Sequence, residues 1–300
     1  MANSNIATIQ QVTQQEELIP VYFGNYGVYH SFNTSFEPVI KWSGSKRSQL
    51  KTILSYVPKF ETLYEPFVGS CAVTYAISPF KGICGDIYKP LIEFWNAVKY
   101  SPKQLADSYE IRWSQLQNDG YTTFYKIRDR FNKAPNPEDL LFLSRTCVNG
   151  LIRFNKNGEF NNALHHTRKG IDPNRLRKVI MEWSSKIQGI SFQNVDYRES
   201  TKNATSNDFI YLDPPYFNNK ARYCSDIDYD TFIEYLRDLN SRGIKYALSY
   251  DGYRGDKNYM VELPKDVYQR HIMIKSGPAS FRKVIDKTNE AVYESLYLNF

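Results

Sequence analysis

Asp208-Phe209-Ile210-Tyr211-Leu212-Asp213-Pro214-Pro215-Tyr216 decides how this 300-residue chain is read. The apolar run from residue 209 to residue 212 has the length and composition of a buried strand, and it ends on an acid followed by two prolines. Proline fixes φ at about −65° and carries no backbone N–H. The carbonyls of Asp213 and Pro214 are therefore free to point outward as acceptors instead of joining a ladder. A carboxylate, a carbonyl and the Tyr216 ring at a rigid strand end suit an amino group on a flat ring. Pro-Pro alone reads equally well as an ordinary strand-ending turn, so the flanking motifs carry the decision.

Upstream, Leu63-Tyr64-Glu65-Pro66-Phe67-Val68-Gly69-Ser70-Cys71-Ala72-Val73 reads as a strand, a glycine turn and a helix start. With a single glycine it is no GxGxxG fingerprint, and without a following Gly-Lys-Ser/Thr it is no P-loop, so phosphate cradling is not expected. The next strand-like run, Gly82-Ile83-Cys84-Gly85-Asp86, ends in an acid. That acid lies about twenty residues beyond Tyr64, the distance at which α/β nucleotide sites place a ribose-binding carboxylate. This alternation from residue 38 to about residue 96 predicts half of a doubly wound sheet. The pattern resumes with strands at residues 190–196, 209–212 and 246–250, an amphipathic helix at 229–239 and a last strand at 291–298. Between the halves, residues 97–188 are mainly helical in pattern, and Asn157-Gly158 within residues 155–161 signals a tight hairpin. Residues 1–37 are rich in Gln, Asn and Ser and read as an extension with a mobile start.

Composition sets bounds on this reading. A chain with 42% hydrophobic residues can bury a full core. The net charge is +6, and residues 145–186, with nine Lys/Arg against three acids, carry an excess equal to that of the whole chain. A basic, aromatic-bearing stretch is the electrostatic footprint expected for a polyanion, although a solvated charged face has the same composition. Cys71, Cys84, Cys147 and Cys224 form no CxxC pair, and no signal peptide or long apolar run is present, so a soluble, reduced protein is expected. No metal is expected. His165-His166 lacks spaced partners. Asp226, Asp228 and Asp230 imitate the start of a calcium loop, but Thr231 and Arg237 stand where its Gly and Glu belong.

Lys41-Trp42-Ser43-Gly44-Ser45-Lys46-Arg47, then Glu65-Pro66-Phe67-Val68-Gly69-Ser70-Cys71, then Gly85-Asp86-Ile87-Tyr88, then a long insert and Asp213-Pro214-Pro215-Tyr216, in that order, resemble the Dam-type (alpha-group) DNA adenine-N6 methyltransferases. The likeness runs from about residue 41 to the C-terminus and includes the insert, at residues 124–132 and 143–161. It implies a Rossmann-like α/β S-adenosylmethionine-dependent methyltransferase sheet with an inserted, mainly helical DNA-recognition domain carrying a β-hairpin. The expected division is an extension at 1–37, a catalytic domain at 38–96 and 189–300, and a recognition domain at 97–188. The implied methyl donor is S-adenosylmethionine and the implied partner is double-stranded DNA. A cognate restriction endonuclease stays open, a monomer or weak dimer on DNA is expected, and the location would be the cytoplasm of a bacterium or phage-infected cell.

The resemblance also implies roles residue by residue. Asp213, Pro214, Pro215 and Tyr216 would form the catalytic turn. Trp42, Lys46, Glu65, Phe67, Gly69, Asp86, Ile87, Asp196, Tyr197 and Asp213 would line the cosubstrate pocket, with Asp86 on the ribose hydroxyls. Arg128, Arg145 and Asn155 would contact backbone phosphates or serve as scaffold, Arg153 would read a base edge, Lys156 would meet phosphate, and Asn149 would support the turn before the hairpin. An internal ion-pair role for Arg145 stays open. The chain departs from the family pattern at Cys71, where a second Gly is usual and a Cβ is expected near the cosubstrate, at Val148 in place of an aromatic, and at Asn162-Ala163 in place of Val-Pro. Cytosine-N4 methylation uses the same acceptors, and a catalytically silent DNA-binding relative would keep the same recognition segment; the recognition module weighs against the first and the intact catalytic turn with Asp86 against the second.

Overall fold

The computed structural model describes residues 10–11, 33–167, 169–215, 227–255, 257–276 and 292–300. Among these residues, nine strands form one mixed sheet. Strands β2 (Leu63–Glu65), β3 (Gly82–Gly85), β4 (Ile190–Gln193), β5 (Phe209–Leu212) and β6 (Lys245–Arg254) run parallel in the order β4-β3-β2-β5-β6. Beyond β6 the sheet turns antiparallel through β9 (Val292–Leu298) to β8 (Arg270–Ser276), with β1 (Gln10–Gln11) parallel to β8 at the edge. The short β7 (Lys257–Asn258) pairs with β6. All four residues of β5 are buried, as expected for a strand with helices on both faces. From β2 the chain steps outward to β3 and β4, then returns to the other side for β5. Ligands in open α/β sheets bind at that reversal, outside the carboxyl ends of the strands.

Helices α1 (Leu50–Ser55) and α2 (Ala72–Ile77) pack beside the first strands. The crossover from β3 to β4 is unusually long and contains α3 (Lys89–Tyr100), α4 (Pro102–Asp119), α5 (Tyr121–Lys133), α6 (Pro137–Thr146) and α7 (Pro173–Lys186). Two of these helices start on matched signals: Asn136 and Asp172 cap the backbone N–H groups of Asp139 and Arg175 at 2.8 and 3.0 Å, each followed by a proline that has no N–H to satisfy. Helix α3 lies on the sheet, where Trp95 stacks on Phe192 of β4 and on Trp183 of α7, with centroids 6.0 and 5.2 Å apart. Trp183 in turn stacks on Tyr75 of α2 at 4.0 Å. Removing a buried Trp of this kind costs about 3–5 kcal/mol, so α7 is locked onto α2 and α3, the helices that flank the sheet.

Two expected boundaries therefore move. Residue 97 falls inside α3, and α7 packs against the sheet side of the molecule. The boundary at residue 38 also cuts packed structure, because Phe36 is buried against Tyr75 and Trp183 and the Glu37 carbonyl accepts from Trp183 Nε1 at 2.8 Å. The mobile start expected for the extension lies almost wholly outside the described residues. Helices α8 (Tyr197–Thr201) and α9 (Tyr229–Ser241) cover the other face of the sheet. Asp228 caps α9 by accepting from Thr231 N at 2.9 Å, which accounts for one acid of the calcium-like run. No helix among the described residues is long and apolar enough to cross a membrane.

Candidate active site

A cavity of about 530 Å³ opens outside the carboxyl ends of β2, β3 and β5. It brings together Trp42, Lys46, Glu65, Phe67, Gly69, Asp86, Ile87, Asp196, Tyr197, Asp213, Pro214 and Pro215, residues scattered over more than half of the sequence. Tyr216 lies outside the described residues.

The turn after β2 shapes one wall. Gly69 has φ +41°, and a Cβ there would sit 3.1 Å from Trp42 Cδ1 and Nε1. The Gly69 carbonyl accepts from Trp95 Nε1 at 3.0 Å, and Val68 N–H donates to the Gly85 carbonyl at 2.9 Å. The turn is thus held between α3 and β3. One residue past β3, the Asp86 carboxylate accepts from Tyr88 N at 2.9 Å and from Gly69 N at 3.4 Å. Burial pushes its pKa up to about 6, and those backbone donors pull against the rise.

Cys71 adopts φ +54°, a left-handed conformation that favours glycine. Its side chain is fully buried and does not line the cavity, so the expected intrusion of a Cβ on the cosubstrate is corrected: the left-handed backbone turns the thiol inward. The ligand atoms of Glu65, Cys71 and Cys84 lie within 4.8 Å of one another. Glu65 Oε2 already accepts from Thr74 N at 3.0 Å and from Thr74 Oγ1, and burial holds the Cys71 thiol well above its usual range. The trio is a hydrogen-bonded joint between β2, β3 and α2. Burial also pushes the Glu65 carboxyl up to about 8, against the Thr74 hydrogen bonds.

At the end of β5, Lys46 Nζ donates to both oxygens of Asp213 at 2.6 and 2.7 Å and to the Gly44 carbonyl at 3.1 Å. Glu294 Oε2, from β9, lies 3.6 Å from the same nitrogen. Burial alone would lower the Lys46 pKa; the Asp213 and Glu294 carboxylates, with Tyr211, overcome it and hold the ammonium above the usual lysine range. Asp213 is pushed up to about 6 by burial, with Lys46 pulling down and Glu294 pushing up. The opposite wall is aromatic: Phe67 stacks on Tyr197 at 5.3 Å. Asp196, just before Tyr197, accepts from Arg198 N and Nε at 3.0 and 2.8 Å and so caps α8 as well as facing the cavity.

The residues expected on DNA divide differently. Arg145 is buried in the last turn of α6; its Nε donates to the Val39 carbonyl at 2.8 Å and its NH2 group to the Pro38 carbonyl. Loss of hydration pushes its pKa down to about 10. The phosphate role implied for Arg145 is therefore corrected to scaffold, through backbone carbonyls. Asn155 is spent on its own turn, accepting from Asn157 N and Glu159 N at 2.9 and 3.0 Å and donating to Glu159 Oε2 at 2.8 Å. Asn149 sits at φ +57° in the turn before the hairpin. Arg128 lies over the Tyr125 ring at 4.6 Å, with Asp129 3.6 Å away. Arg153 and Lys156 are exposed; Arg153 Nε donates to Asn161 Oδ1 at 2.9 Å across the hairpin. The hairpin itself is narrow, closed by a bridge between Phe154 and Phe160.

Several lining residues escaped the sequence reading as site residues, among them Ile152, Phe154, Tyr88 and Glu294. Ile152 and Phe154 flank the outward Arg153 and turn into the cavity, where the Phe154 ring meets Tyr88 at 5.3 Å. The period-two alternation Ile-Arg-Phe was the available signal. Tyr88 closes the quoted Gly85-Asp86-Ile87-Tyr88 motif but was given no role, and Glu294 had no local signature at all.

A parallel sheet with a reversal, a cavity at that reversal and acids at the ends of β3 and β5 are features of an α/β enzyme that binds a nucleotide-like cosubstrate. Residues 42–277 match the D12 class N6 adenine-specific DNA methyltransferases, and the chain belongs to that family. It is an adenine-specific DNA methyltransferase, and the family implies S-adenosylmethionine as methyl donor and DNA as substrate. It is 30% identical over 300 residues to Type II methyltransferase M.MjaIII of Methanocaldococcus jannaschii, covering 88% of this chain and 99% of that protein. The DNA adenine methylases of Vibrio cholerae and Escherichia coli are each 31% identical over 181 residues, covering 59% of this chain and 64% of theirs. A solved rRNA methyltransferase, aviRa from Streptomyces viridochromogenes, aligns with 92% of this chain and 90% of that one at 12% identity, with a TM-score of only 0.37.

Proposed function

We propose that the cavity binds S-adenosylmethionine and a flipped adenine side by side, and that Asp213 and Pro214 hold the adenine amine for direct methyl transfer at a specific duplex sequence. The observation that carries this reading is Lys46 Nζ donating to both oxygens of Asp213 at 2.6 and 2.7 Å. A nitrogen donor placed there marks where the N–H groups of a substrate amine would sit.

The residues fit the methyl donor. Asp86 at the end of β3 is a bidentate acceptor for a ribose diol, Phe67 and Tyr197 supply an aromatic wall, and Gly69 lets its turn approach the Trp42 ring on the cavity lining. When bound, S-adenosylmethionine supplies a sulfonium-activated methyl group, whose bond to sulfur breaks with its electron pair staying on sulfur as the bond to N6 forms. The N6 lone pair is delocalised into the purine ring, so its orientation limits the reaction. Accepting one N–H at the Asp213 carboxylate and the other at the Pro214 carbonyl aims the lone pair at the methyl group. Positive charge then develops on nitrogen beside a carboxylate in a water-poor site, where preorganised stabilisation is strongest. The excess proton on nitrogen passes to Asp213 and from there to solvent. Tyr216, next in sequence, is assigned to stack on the base, a cation–π contact worth about 0.5–2 kcal/mol. No base reaches such a pocket while stacked in a duplex, so flipping is required.

Helices α4–α6 with the hairpin at residues 151–161 form the recognition unit in this reading, and the catalytic unit takes the sheet together with α3 and α7. Arg153 is the residue assigned to a base edge, since a guanidinium fork reads guanine bidentately, and Lys156 is assigned to phosphate. The test is incubation of the protein with unmethylated DNA and labelled S-adenosylmethionine, followed by base-resolved analysis. N6-methyladenine at one recurrent sequence, abolished in a folded Asp213→Ala variant, is the expected result. Undiminished transfer by Asp213→Ala would refute the catalytic assignment.

A further inference from the structure

Glu294 belongs to none of the motifs quoted from the sequence, yet it lines the cavity from the antiparallel side of the sheet. It sits on β9 in register with Ile274 of β8. Its carboxylate stands 3.6 Å from Lys46 Nζ, whereas Asp213 Oδ1 stands at 2.6 Å. The Lys46 side chain is 4% exposed and those of Asp213 and Glu294 are 21% and 18% exposed. One buried cation is thus held between a tight carboxylate and a loose one, and 3.6 Å is longer than a direct hydrogen bond.

That asymmetry bears on catalysis if, as proposed above, Asp213 accepts from the adenine amine. Lys46 occupies one acceptor direction on each Asp213 oxygen and places a positive charge where nitrogen becomes positive, so the carboxylate serves the amine best once the ammonium draws back from it. An ammonium taken out of water is strongly destabilised when it loses its anionic partner. Its flexible stem and three rotatable donors let it change partners by a small swing. We propose that Glu294 is the receiving carboxylate for Lys46: as the target amine takes the acceptors of Asp213, Lys46 Nζ closes on Glu294 and stays ion-paired throughout.

The charge balance supports the exchange. Lys46, Asp213 and Glu294 together carry one net negative charge when ionised, and among the described residues Glu65 and the Tyr211 hydroxyl also act on this pair. Moving Lys46 toward Glu294 draws positive charge away from Asp213, where nitrogen becomes positive. Glu294 acts through Lys46 and is a positioning residue. Replacing it by a neutral amide removes the second carboxylate beside Lys46 and so favours the ammonium staying on Asp213.

The experiment uses the full chain, unmethylated duplex DNA and labelled S-adenosylmethionine, with Glu294→Gln, Glu294→Asp and Asp213→Ala measured alongside the wild type. For Glu294→Gln, kcat is expected to fall by about tenfold or more while the cosubstrate Kd and the melting temperature stay at wild-type values. Glu294→Asp, which keeps the charge, is expected to recover most of the loss. Wild-type kcat in Glu294→Gln overturns the proposal. So does a parallel fall of kcat, cosubstrate affinity and melting temperature that Glu294→Asp shares, which would make Glu294 a support of β9. Retained transfer by Asp213→Ala would instead overturn the reading of Asp213, so the two failures are distinguishable.

Discussion

Arg145→Met separates scaffold from DNA contact at the most ambiguous residue of the recognition segment. In the folded protein the guanidinium is buried and donates to the carbonyls of Pro38 and Val39, which tie the segment carrying buried Val39 and Ile40 to α6. Each hydrogen bond from a charged donor contributes about 1.5–3 kcal/mol, and a carbonyl left buried without a donor costs about 1–3 kcal/mol. Methionine fills similar volume and relieves the burial of a cation, which offsets part of that loss. The expected net destabilisation is about 2–4 kcal/mol, read as a lower midpoint in urea unfolding with the slope unchanged. Because Arg145 does not reach the surface, the dependence of DNA affinity on salt should be the same in the variant. Stability within about 0.5 kcal/mol of wild type, together with a salt slope shallower by about one, would refute the scaffold assignment and return Arg145 to the phosphate contacts.

Other perturbations probe the cavity and the hairpin. Gly69→Ala places a Cβ 3.1 Å from the Trp42 ring at φ +41°; backbone strain of about 1–2 kcal/mol plus displacement of Trp42 should weaken cosubstrate binding in a titration, and unchanged affinity would remove Trp42 from the wall. Glu65 is protonated more readily in the folded state, with its carboxyl raised from 4.5 to about 8 by burial, so the stability it contributes is complete below pH 4.5 and is lost as pH rises through 8. Glu65→Gln should flatten that decline in melting temperature between those limits; an unaltered profile would show that Glu65 does not cause it. Arg153→Ala should relax sequence discrimination, whereas Lys156→Ala should weaken binding evenly on all sequences and reduce the salt slope by about one. Equal loss on all sequences for Arg153→Ala would move it to the phosphate class.

The chain by itself determined the strands and the acids at their ends. Apolar runs closed by Gly, Pro and Asp are local chemistry, so residues 63–65, 82–86 and 209–213 announced both the sheet and the carboxylates at its rim. The order of those motifs was enough to indicate the family, and the Asn157-Gly158 signal marked the hairpin tip. What the tertiary structure decided was which side chains meet. Lys46 and Asp213 are 167 residues apart, and nothing near either one encodes their ion pair. Glu294 joined them only because β9 runs antiparallel beside β6. Arg145 was implied as a phosphate or scaffold contact by resemblance, and the docking of α6 buried it against residues 38 and 39. Cys71 kept clear of the cavity through a left-handed backbone that its residue type disfavours. The domain limits implied by pattern alone gave way for the same reason: Trp95, Trp183 and Tyr75 stack across segments far apart in the chain, and burial of their rings, rather than the periodicity of any one segment, determines where the helices of the insert end and the covering of the sheet begins.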